Sequence, residues 1–128
     1  MLAIRNFGTL WERRYIFFGR SRVAGALWGY NANHSGRVDF REQSGVYVLY
    51  DRDRVPVYVG QAGRGNSRLW HRLRTHTNDH LWNRWEHFSW FGLCKVNRNG
   101  TLSLADRPDR RLGGRSRDAL DEIEAVLI

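Results

Sequence analysis

Two short apolar runs in the middle of the chain have the composition of β-strands. The first is Val46–Tyr50 and the second is Val55–Val59, with the polar segment Asp51–Arg54 between them. Runs of β-branched and aromatic residues of this length, joined by a short polar break, predict an antiparallel hairpin. Pro56 cannot donate a ladder hydrogen bond, so we expect it at the start or the edge of the second strand.

A helix with two distinct faces is predicted after this hairpin. Three glycines between positions 60 and 65 interrupt the extended pattern, and Ser67 is suited to cap the helix. Leu69 and Leu73 are four residues apart and form an apolar stripe. A second, cationic stripe has the same spacing and consists of Arg68, Arg72 and His76. We expect the leucines to pack on the hairpin and the cationic stripe to lie along its tyrosines.

The tripeptides Gly45-Val46-Tyr47 and Tyr58-Val59-Gly60, followed by Arg72 and His76 in a helix, resemble the motifs of the GIY-YIG nuclease family. The resemblance covers residues 44–128. It implies an α+β fold, in which a small, mainly antiparallel sheet of hairpins is flanked by helices. The segment between Tyr58 and Arg72 is a few residues longer than in many members, and its glycine-rich part can absorb such an insertion.

The resemblance also implies a chemistry, the hydrolysis of DNA phosphodiester bonds with Mg²⁺ (or Mn²⁺) as cofactor. Tyr47 would take a proton from the attacking water, and Tyr58 would orient that water. Arg72 would contact the scissile phosphate, and His76 would hydrogen-bond either the phosphate or Tyr47. Glu124 would hold the metal ion. Because an unperturbed phenol has a pKa of about 10, nearby cations must assist Tyr47.

Helical periodicity independently selects Glu124. The last predicted helix spans residues 118–128, and its apolar sector consists of Leu120, Ile123, Val126, Leu127 and Ile128. Glu124 falls inside this sector, whereas Asp121 and Glu122 fall outside it. A carboxylate on a packing face is costly unless a cation or hydrogen bonds compensate. A structural glutamate paired with an arginine is the alternative to a metal ligand.

Arginine dominates the charge of the chain. The formal net charge is +8, and Lys95 is the single lysine among 21 basic residues. Because arginine makes bidentate contacts with phosphate, this excess predicts a DNA partner, with simple solubility as the alternative. The candidate contacts are Arg68 and Arg74 in the predicted helix and Arg110, Arg111 and Arg115 in the loop at 105–117. The alternative for this loop is a solvated segment without a partner.

The sequence is divided into an N-terminal segment, 1–43, and the nuclease-like region, 44–128. Aromatic residues and arginines interleave in the first segment, which suits nucleic-acid contact, but packing of the aromatics on the core is favoured. A short strand is expected at Val38–Phe40. Since the chain stops inside an apolar helical run without a cap, we expect a truncation at the C-terminus.

Two further elements are predicted between His76 and the last helix. Asp79 is expected to cap a helix that runs to Phe88 and turns Leu81, Trp82 and Trp85 inward. A second hairpin is expected to pair residues 93–96 with residues 101–104. Its turn, Asn97–Gly100, contains the Asn-Gly step that is typical of hairpins.

Other features of the sequence exclude several classes of protein. The lone Cys94 excludes an intrachain disulfide and a multi-cysteine zinc site. The chain has no apolar run long enough to span a bilayer and no signal-peptide layout, so we expect a cytoplasmic protein without a membrane partner. Two alternatives to a DNA nuclease stay open, a non-catalytic nucleic-acid-binding domain and an RNA-directed nuclease. Restriction and phage defence are among the settings in which this domain type acts.

Overall fold

The computed structural model describes residues 4–63 and 67–103. These residues form one α-helix and six strands, with a short 3₁₀ turn at Arg13–Tyr15 after the first strand. In chain order the elements are β1 (Asn6–Glu12), β2 (Trp28–Asn31), β3 (His34–Asp39), β4 (Gly45–Tyr50), β5 (Pro56–Ala62), α1 (Leu69–Thr75) and β6 (His87–Gly92). No helix within the described ranges is long and apolar enough to cross a membrane.

The strands form two antiparallel sheets. The larger has the order β1-β6-β4-β5, and the smaller consists of β2 and β3. The predicted hairpin is confirmed as β4 and β5, and Pro56 begins β5 at the edge of the sheet. The α+β class is thereby confirmed in its coarse form, as mainly antiparallel sheet with a helix. Since β1 forms the opposite edge, the N-terminal segment contributes a strand to the same sheet as the motif tyrosines.

One face of the large sheet carries the main core. Tyr47 and Leu49 of β4 lie beside Phe88 and Trp90 of β6, and the leucines of α1 pack against this face as predicted. Trp90 meets the ring of Phe40 at a centroid distance of 4.7 Å. Aromatic contacts of this kind add to the burial of apolar surface. The resulting core includes the buried side chain of Tyr47.

Helix α1 is attached to the loop that leads into β4. The first N–H groups of a helix have no partner within it. Here the N–H of Leu69 donates to the carbonyl of Gln43 at 2.9 Å, and that of Trp70 donates to the carbonyl of Arg41 at 3.1 Å. The helix is capped by Arg68 in an extended conformation, so the predicted cap at Ser67 is wrong. These backbone bonds, and not a capping side chain, fix the helix over β4.

The Gln43 side chain makes the loop before β4 rigid. It is buried, and its Oε1 accepts the backbone N–H groups of Cys94 at 2.8 Å and Ser44 at 3.0 Å. Its Nε2 donates to Asn6 Oδ1 at 2.7 Å and to the carbonyl of Cys94 at 3.0 Å. A buried amide with all of its polar groups paired specifies a single arrangement. The loop therefore holds β1, β4 and the end of β6 in register.

The helix predicted from Asp79 to Phe88 is wrong. Residues 77–84 form turns and bends, in which Trp82 N–H donates to the carbonyl of Asp79 at 3.1 Å and Arg84 N–H to that of Leu81 at 2.9 Å. These bonds join residues three apart, whereas an α-helix joins residues four apart. Phe88 instead pairs with Leu49 in the sheet. Long-range strand pairing therefore overrides the local helical spacing of the apolar residues.

The second predicted hairpin is confirmed only at its turn. Gly100 N–H donates to the carbonyl of Asn97 at 2.9 Å, and Asn97 N–H donates to that of Thr101 at 2.7 Å. The described residues on either side of this turn do not form strands, and they pair through an isolated antiparallel β-bridge between Val96 and Leu102. The sheet is therefore not built of two hairpins, because β6 takes the place beside β4. The strand expected near residue 38 is present as the end of β3.

Candidate active site

The Tyr47 hydroxyl lies where β4 meets α1. Tyr47 is fully buried, and its Oη lies 2.7 Å from His76 Nε2 and 3.3 Å from Arg72 Nε, whose N–H donates to it. Arg72 and His76 approach from the same side because they are one helical turn apart. The structure thus joins by hydrogen bonds three of the five residues that the sequence nominates for catalysis.

A carboxylate extends this contact to a fourth residue. His76 Nδ1 lies 2.7 Å from Asp79 Oδ2, and Asp79 Oδ1 accepts the backbone N–H of Leu81 at 2.9 Å. An ionised carboxylate only accepts hydrogen bonds, so Nδ1 carries the proton and Nε2 of a neutral imidazole is the acceptor. Tyr47 therefore donates its hydroxyl proton to His76. We call the sequence Asp79–His76–Tyr47–Arg72 the hydrogen-bonded chain.

Asp79 is the functional candidate that the sequence analysis missed. It was assigned to a helix cap, and its Oδ1 does accept a backbone N–H in a turn. The other oxygen is the one that meets the imidazole. A spacing of three residues between His76 and Asp79 was the available signal, but it gains meaning only when the helix ends at His76. The C-terminal turn of α1 brings the two side chains together.

Tyr58 covers the buried pair from β5. Its ring centroid lies 4.7 Å from that of His76 and 6.1 Å from that of Tyr47. Tyr58 is partly exposed, in contrast to Tyr47 and to His76, which retains 3% of its accessible surface. Of the two motif tyrosines, Tyr58 is therefore the one that meets solvent in this conformation.

Gly60 explains why the second motif ends in glycine. It lies directly opposite Tyr47 in the register of β4 and β5. A Cβ at position 60 would lie 2.5 Å from Tyr47 Oη and 2.7 Å from Tyr58 Cε2, closer than van der Waals contact allows. Only a residue without a side chain lets the Tyr47 hydroxyl cross β5 and reach the helix.

Burial dominates the protonation of Tyr47 and His76. It raises the pKa of the Tyr47 phenol well above its ordinary value, although the charge of Arg72 acts in the opposite direction. It lowers the pKa of His76 below 6.5, although the hydrogen bond to Asp79 and its charge raise it. Both groups are consequently neutral near pH 7, as the donor and acceptor assignment of the hydrogen-bonded chain requires.

The two ends of the hydrogen-bonded chain carry its charges. Desolvation acts to lower the pKa of Arg72, but the interactions with Tyr47 and Tyr58 outweigh it, and the net shift is upward. Desolvation acts to raise the pKa of Asp79, but hydrogen bonds from Leu81 and His76 outweigh it, and the net shift is downward. A cation and an anion therefore bracket the neutral phenol and imidazole.

The predicted DNA contacts on α1 differ in accessibility. Arg68 is buried, and its Nη1 donates to the carbonyl of Gly63 at 2.8 Å. Arg74 is exposed, and its guanidinium carbon lies 5.5 Å from the centroid of the Trp70 ring. Both roles stay predictions, and burial weighs against Arg68. The remaining predicted site residues lie outside the described part of the chain: Arg110, Arg111, Arg115 and the metal ligand Glu124.

The described residues do not by themselves supply a magnesium site. Among them, no group of three or more histidine, cysteine, aspartate or glutamate side chains is placed to hold a metal ion. The groups around Tyr47 are a phenol, an imidazole and a guanidinium, whereas Mg²⁺ prefers carboxylate and water oxygens. Both oxygens of Asp79 already accept hydrogen bonds. Metal binding therefore depends on Glu124 and stays a prediction.

Comparison with known proteins assigns no family to this arrangement. No protein-family model, no curated protein and no solved structure matches the chain. The likeness to the GIY-YIG nucleases accordingly rests on the two tyrosine tripeptides, Arg72 and His76, and family membership stays a prediction.

Proposed function

We propose that the chain is an endonuclease that hydrolyses phosphodiester bonds of DNA at the surface above Tyr47. The observation that carries this proposal is the hydrogen-bonded chain, with links of 2.7, 2.7 and 3.3 Å and a guanidinium at its end. Phosphodiester hydrolysis needs a proton acceptor for water and a cation for the phosphate. The arrangement offers both within one cluster.

Arg72 acts first, as the contact to the phosphate. Its bond to Tyr47 is the longest link, at 3.3 Å, compared with about 2.9–3.0 Å for an average N–H···O bond. A phosphate accepts charge-assisted hydrogen bonds from guanidinium more strongly than a phenol does. When Arg72 turns towards the phosphate, it frees a lone pair on Tyr47 Oη for the attacking water.

Tyr47 and His76 then move the proton together. Tyr47 Oη takes a proton from water while its own proton passes to His76 Nε2, so that no free phenolate forms in the buried site. The resulting imidazolium is stabilised by the carboxylate of Asp79, 2.7 Å away. This coupling explains how a phenol with a raised pKa serves as a base. Tyr58, which is partly exposed, orients the water.

A divalent ion, Mg²⁺ or Mn²⁺, completes the proposal. When bound, it would stabilise the negative charge that develops on the phosphate. We assign it to Glu124 because that carboxylate falls on the apolar sector of the predicted last helix. Glu122 lies outside that sector and is the matched control. Replacing Glu124 with Gln should abolish metal-dependent cleavage, whereas Glu122→Gln should leave it near the parental rate.

The experiment that tests the function is a cleavage assay on plasmid DNA and on RNA of the same sequence. Each substrate is incubated with the purified chain in Mg²⁺, in Mn²⁺ and in a chelator. We expect nicked and linear DNA only with a divalent ion, and far slower cleavage by Arg72→Ala protein purified identically. Binding without cleavage in any condition would favour a non-catalytic nucleic-acid-binding domain. Cleavage of RNA alone would favour an RNA-directed nuclease.

A further inference from the structure

A second concave surface lies where β1 ends and the turn between β4 and β5 begins. This groove has a volume of about 470 Å³, within the range of small-ligand sites. Most of the residues that line it are apolar or aromatic, among them Trp11, Ile16, Leu27 and Phe88. Tyr15 and Trp28 also line it. None of these residues belongs to the hydrogen-bonded chain.

Tyr15 and Trp28 are exposed to an unusual degree for large aromatic side chains. Tyr15 retains 71% of its accessible surface and Trp28 retains 48%. Each ring is stacked with an arginine, since the guanidinium carbon of Arg14 lies 4.9 Å from the Tyr15 centroid and that of Arg37 lies 4.3 Å from the Trp28 centroid. The groove therefore presents flat aromatic surfaces beside positive charge.

The charge of the groove is predominantly positive. Arg54 lines it, and the guanidinium groups of Arg14 and Arg37 stand over two of its rings. Glu12 also lines it and is paired with Arg14 at 3.2 Å, so these two charges compensate each other and the excess positive charge comes from Arg37 and Arg54. A ligand that is both anionic and aromatic complements this surface, whereas a cationic or purely aliphatic ligand does not.

Backbone strain is concentrated at the same groove. Among the described residues, the non-glycine residues with positive φ are Leu10, at 51°, and Arg54, at 64°, and both line it. The conformation of Leu10 is held by a bond from its N–H to Ser89 Oγ at 2.9 Å and accompanies the register shift between β1 and β6. The conformation of Arg54 belongs to the turn between β4 and β5, where its N–H donates to the carbonyl of Asp51 at 3.0 Å. Leu10 lies within a strand, where a positive φ in a non-glycine residue is uncommon, and such strain clusters at functional sites.

We infer that this groove binds an unpaired stretch of nucleic acid. Bases would stack on Tyr15 and Trp28, and the phosphates between them would contact Arg37 and Arg54. Alternating aromatic platforms and cations are the usual basis of single-strand binding, which tolerates many sequences because every base has an aromatic face. Bases stacked inside a duplex do not offer these faces. This inference concerns affinity and stands whether or not the chain cleaves DNA.

The test is binding of a fluorescently labelled oligothymidine of about 15 nucleotides, in the size range of single-strand sites, measured by anisotropy in a chelator. A hairpin duplex of similar charge is measured in parallel. We expect Tyr15→Ala and Trp28→Ala each to weaken single-strand binding on the order of ten-fold. The matched control is Trp82→Ala, an exposed tryptophan outside the groove, which should bind within about two-fold of the parent.

A check of the fold and one further variant keep the result interpretable. Tyr15 is the more exposed residue, so its replacement should leave the fold intact, as circular dichroism would show. Trp28→Phe retains a ring and should recover most of the affinity that Trp28→Ala loses. Parental single-strand binding by both alanine variants would overturn the inference. Equal weakening of duplex and single-strand binding would also overturn it, because the groove would then not recognise unpaired bases.

Discussion

Tyr47 and Tyr15, one from each proposed site, lie at opposite extremes of exposure. Tyr47 is fully buried and its hydroxyl contacts two side chains, whereas Tyr15 retains 71% of its surface and is stacked with an arginine. A buried polar group must be hydrogen-bonded, so its geometry is fixed before a substrate arrives. An exposed ring keeps its surface for a ligand. The first arrangement suits proton transfer and the second suits binding.

Arginine shows the same contrast. Arg72 is partly buried and bonded to a phenol at 3.3 Å, whereas Arg14 and Arg37 are exposed above aromatic rings. Arginine at the buried site can stabilise charge that develops during a reaction, because it is held within one hydrogen bond of the Tyr47 hydroxyl and needs only a short rotation to reach a phosphate there. Arginine at the groove can contribute to the affinity for nucleic acid whether or not a reaction takes place. Mutations in the two regions should therefore separate cleavage from binding.

The largest effect is expected from Arg72→Ala. The single-turnover cleavage rate should fall ~10²–10³-fold, while DNA affinity measured in Ca²⁺ stays within a few-fold of the parent. The fold should survive because Leu69 and Leu73 keep α1 packed. Arg72→Lys should also be slow, since an ammonium lacks the planar fork.

The control for Arg72 is Arg74→Ala, on the exposed side of the same helix. It should retain the cleavage rate and alter only binding. Near-parental cleavage by Arg72→Ala would place the phosphate contact elsewhere. Equal loss of binding and cleavage would make Arg72 a positioning residue.

Asp79→Asn should slow cleavage by roughly 10–10²-fold, part of the contribution of general acid–base catalysis. The amide can donate to His76 Nδ1, which would reverse the tautomer and leave Nε2 protonated, unable to accept from Tyr47. The ¹⁵N chemical shifts of the His76 ring nitrogens should exchange accordingly. Asp51→Asn is the control, because Asp51 also accepts backbone N–H groups in a turn, at 2.9 Å, but lies outside the site. Unchanged shifts and rate would exclude the role of Asp79.

The pH dependence of cleavage should follow His76, which must be unprotonated to accept a proton. The pKa of His76 lies below 6.5, mainly because the side chain is buried. The charges of Arg72 and His80 add to this lowering, whereas the hydrogen bond to Asp79 and its charge oppose it. The rings of Tyr47 and Tyr58 complete its surroundings. Cleavage should thus be independent of His76 protonation above pH 6.5 and fall as the pH drops through the lowered pKa. Asp79→Asn removes the group that raises the pKa, so the acidic limb should move to lower pH. An unmoved limb would assign it to another group.

A smaller effect, on stability, is expected from Gly60→Ala. The added methyl would displace the Tyr47 hydroxyl, and we expect the free energy of unfolding to fall by ~1–3 kcal/mol, as in other overpacked cores. Cleavage should fall as well, because the bond between Tyr47 and His76 is disturbed. Gly36→Ala is the control, since a Cβ there meets only the tip of the His34 ring, at 3.2 Å. Chemical denaturation of the two variants gives the comparison, and equal stabilities would contradict the account.

The local parts of this architecture were predictable from the sequence. Apolar spacing gave the β4–β5 hairpin, and the four-residue spacing of Leu69 and Leu73 gave the buried face of α1. Both depend on interactions between residues close in the chain. The expected convergence of Arg72 and His76 on a hairpin tyrosine followed from the same spacing together with the family resemblance.

The remainder depends on contacts between distant segments. β1 pairs with β6 about eighty residues later, and a register shift at Leu10 interrupts the alternation that would have revealed it as a strand. Apolar residues after His76 have helical spacing, yet the chain there makes turns because Phe88 is needed in the sheet. Asp79 could be placed beside His76 only once that helix was known to be absent.

In the proposed mechanism the buried Tyr47 hydroxyl transfers the proton in phosphodiester cleavage. The most direct test is the single-turnover cleavage rate of Tyr47→Phe, which keeps the packed ring and removes only the oxygen, measured beside Tyr50→Phe on the same strand. We predict a loss of ~10²–10³-fold for Tyr47→Phe, parental DNA affinity for both variants, and a parental rate for Tyr50→Phe. A Tyr47→Phe rate within about two-fold of the parent would contradict the account.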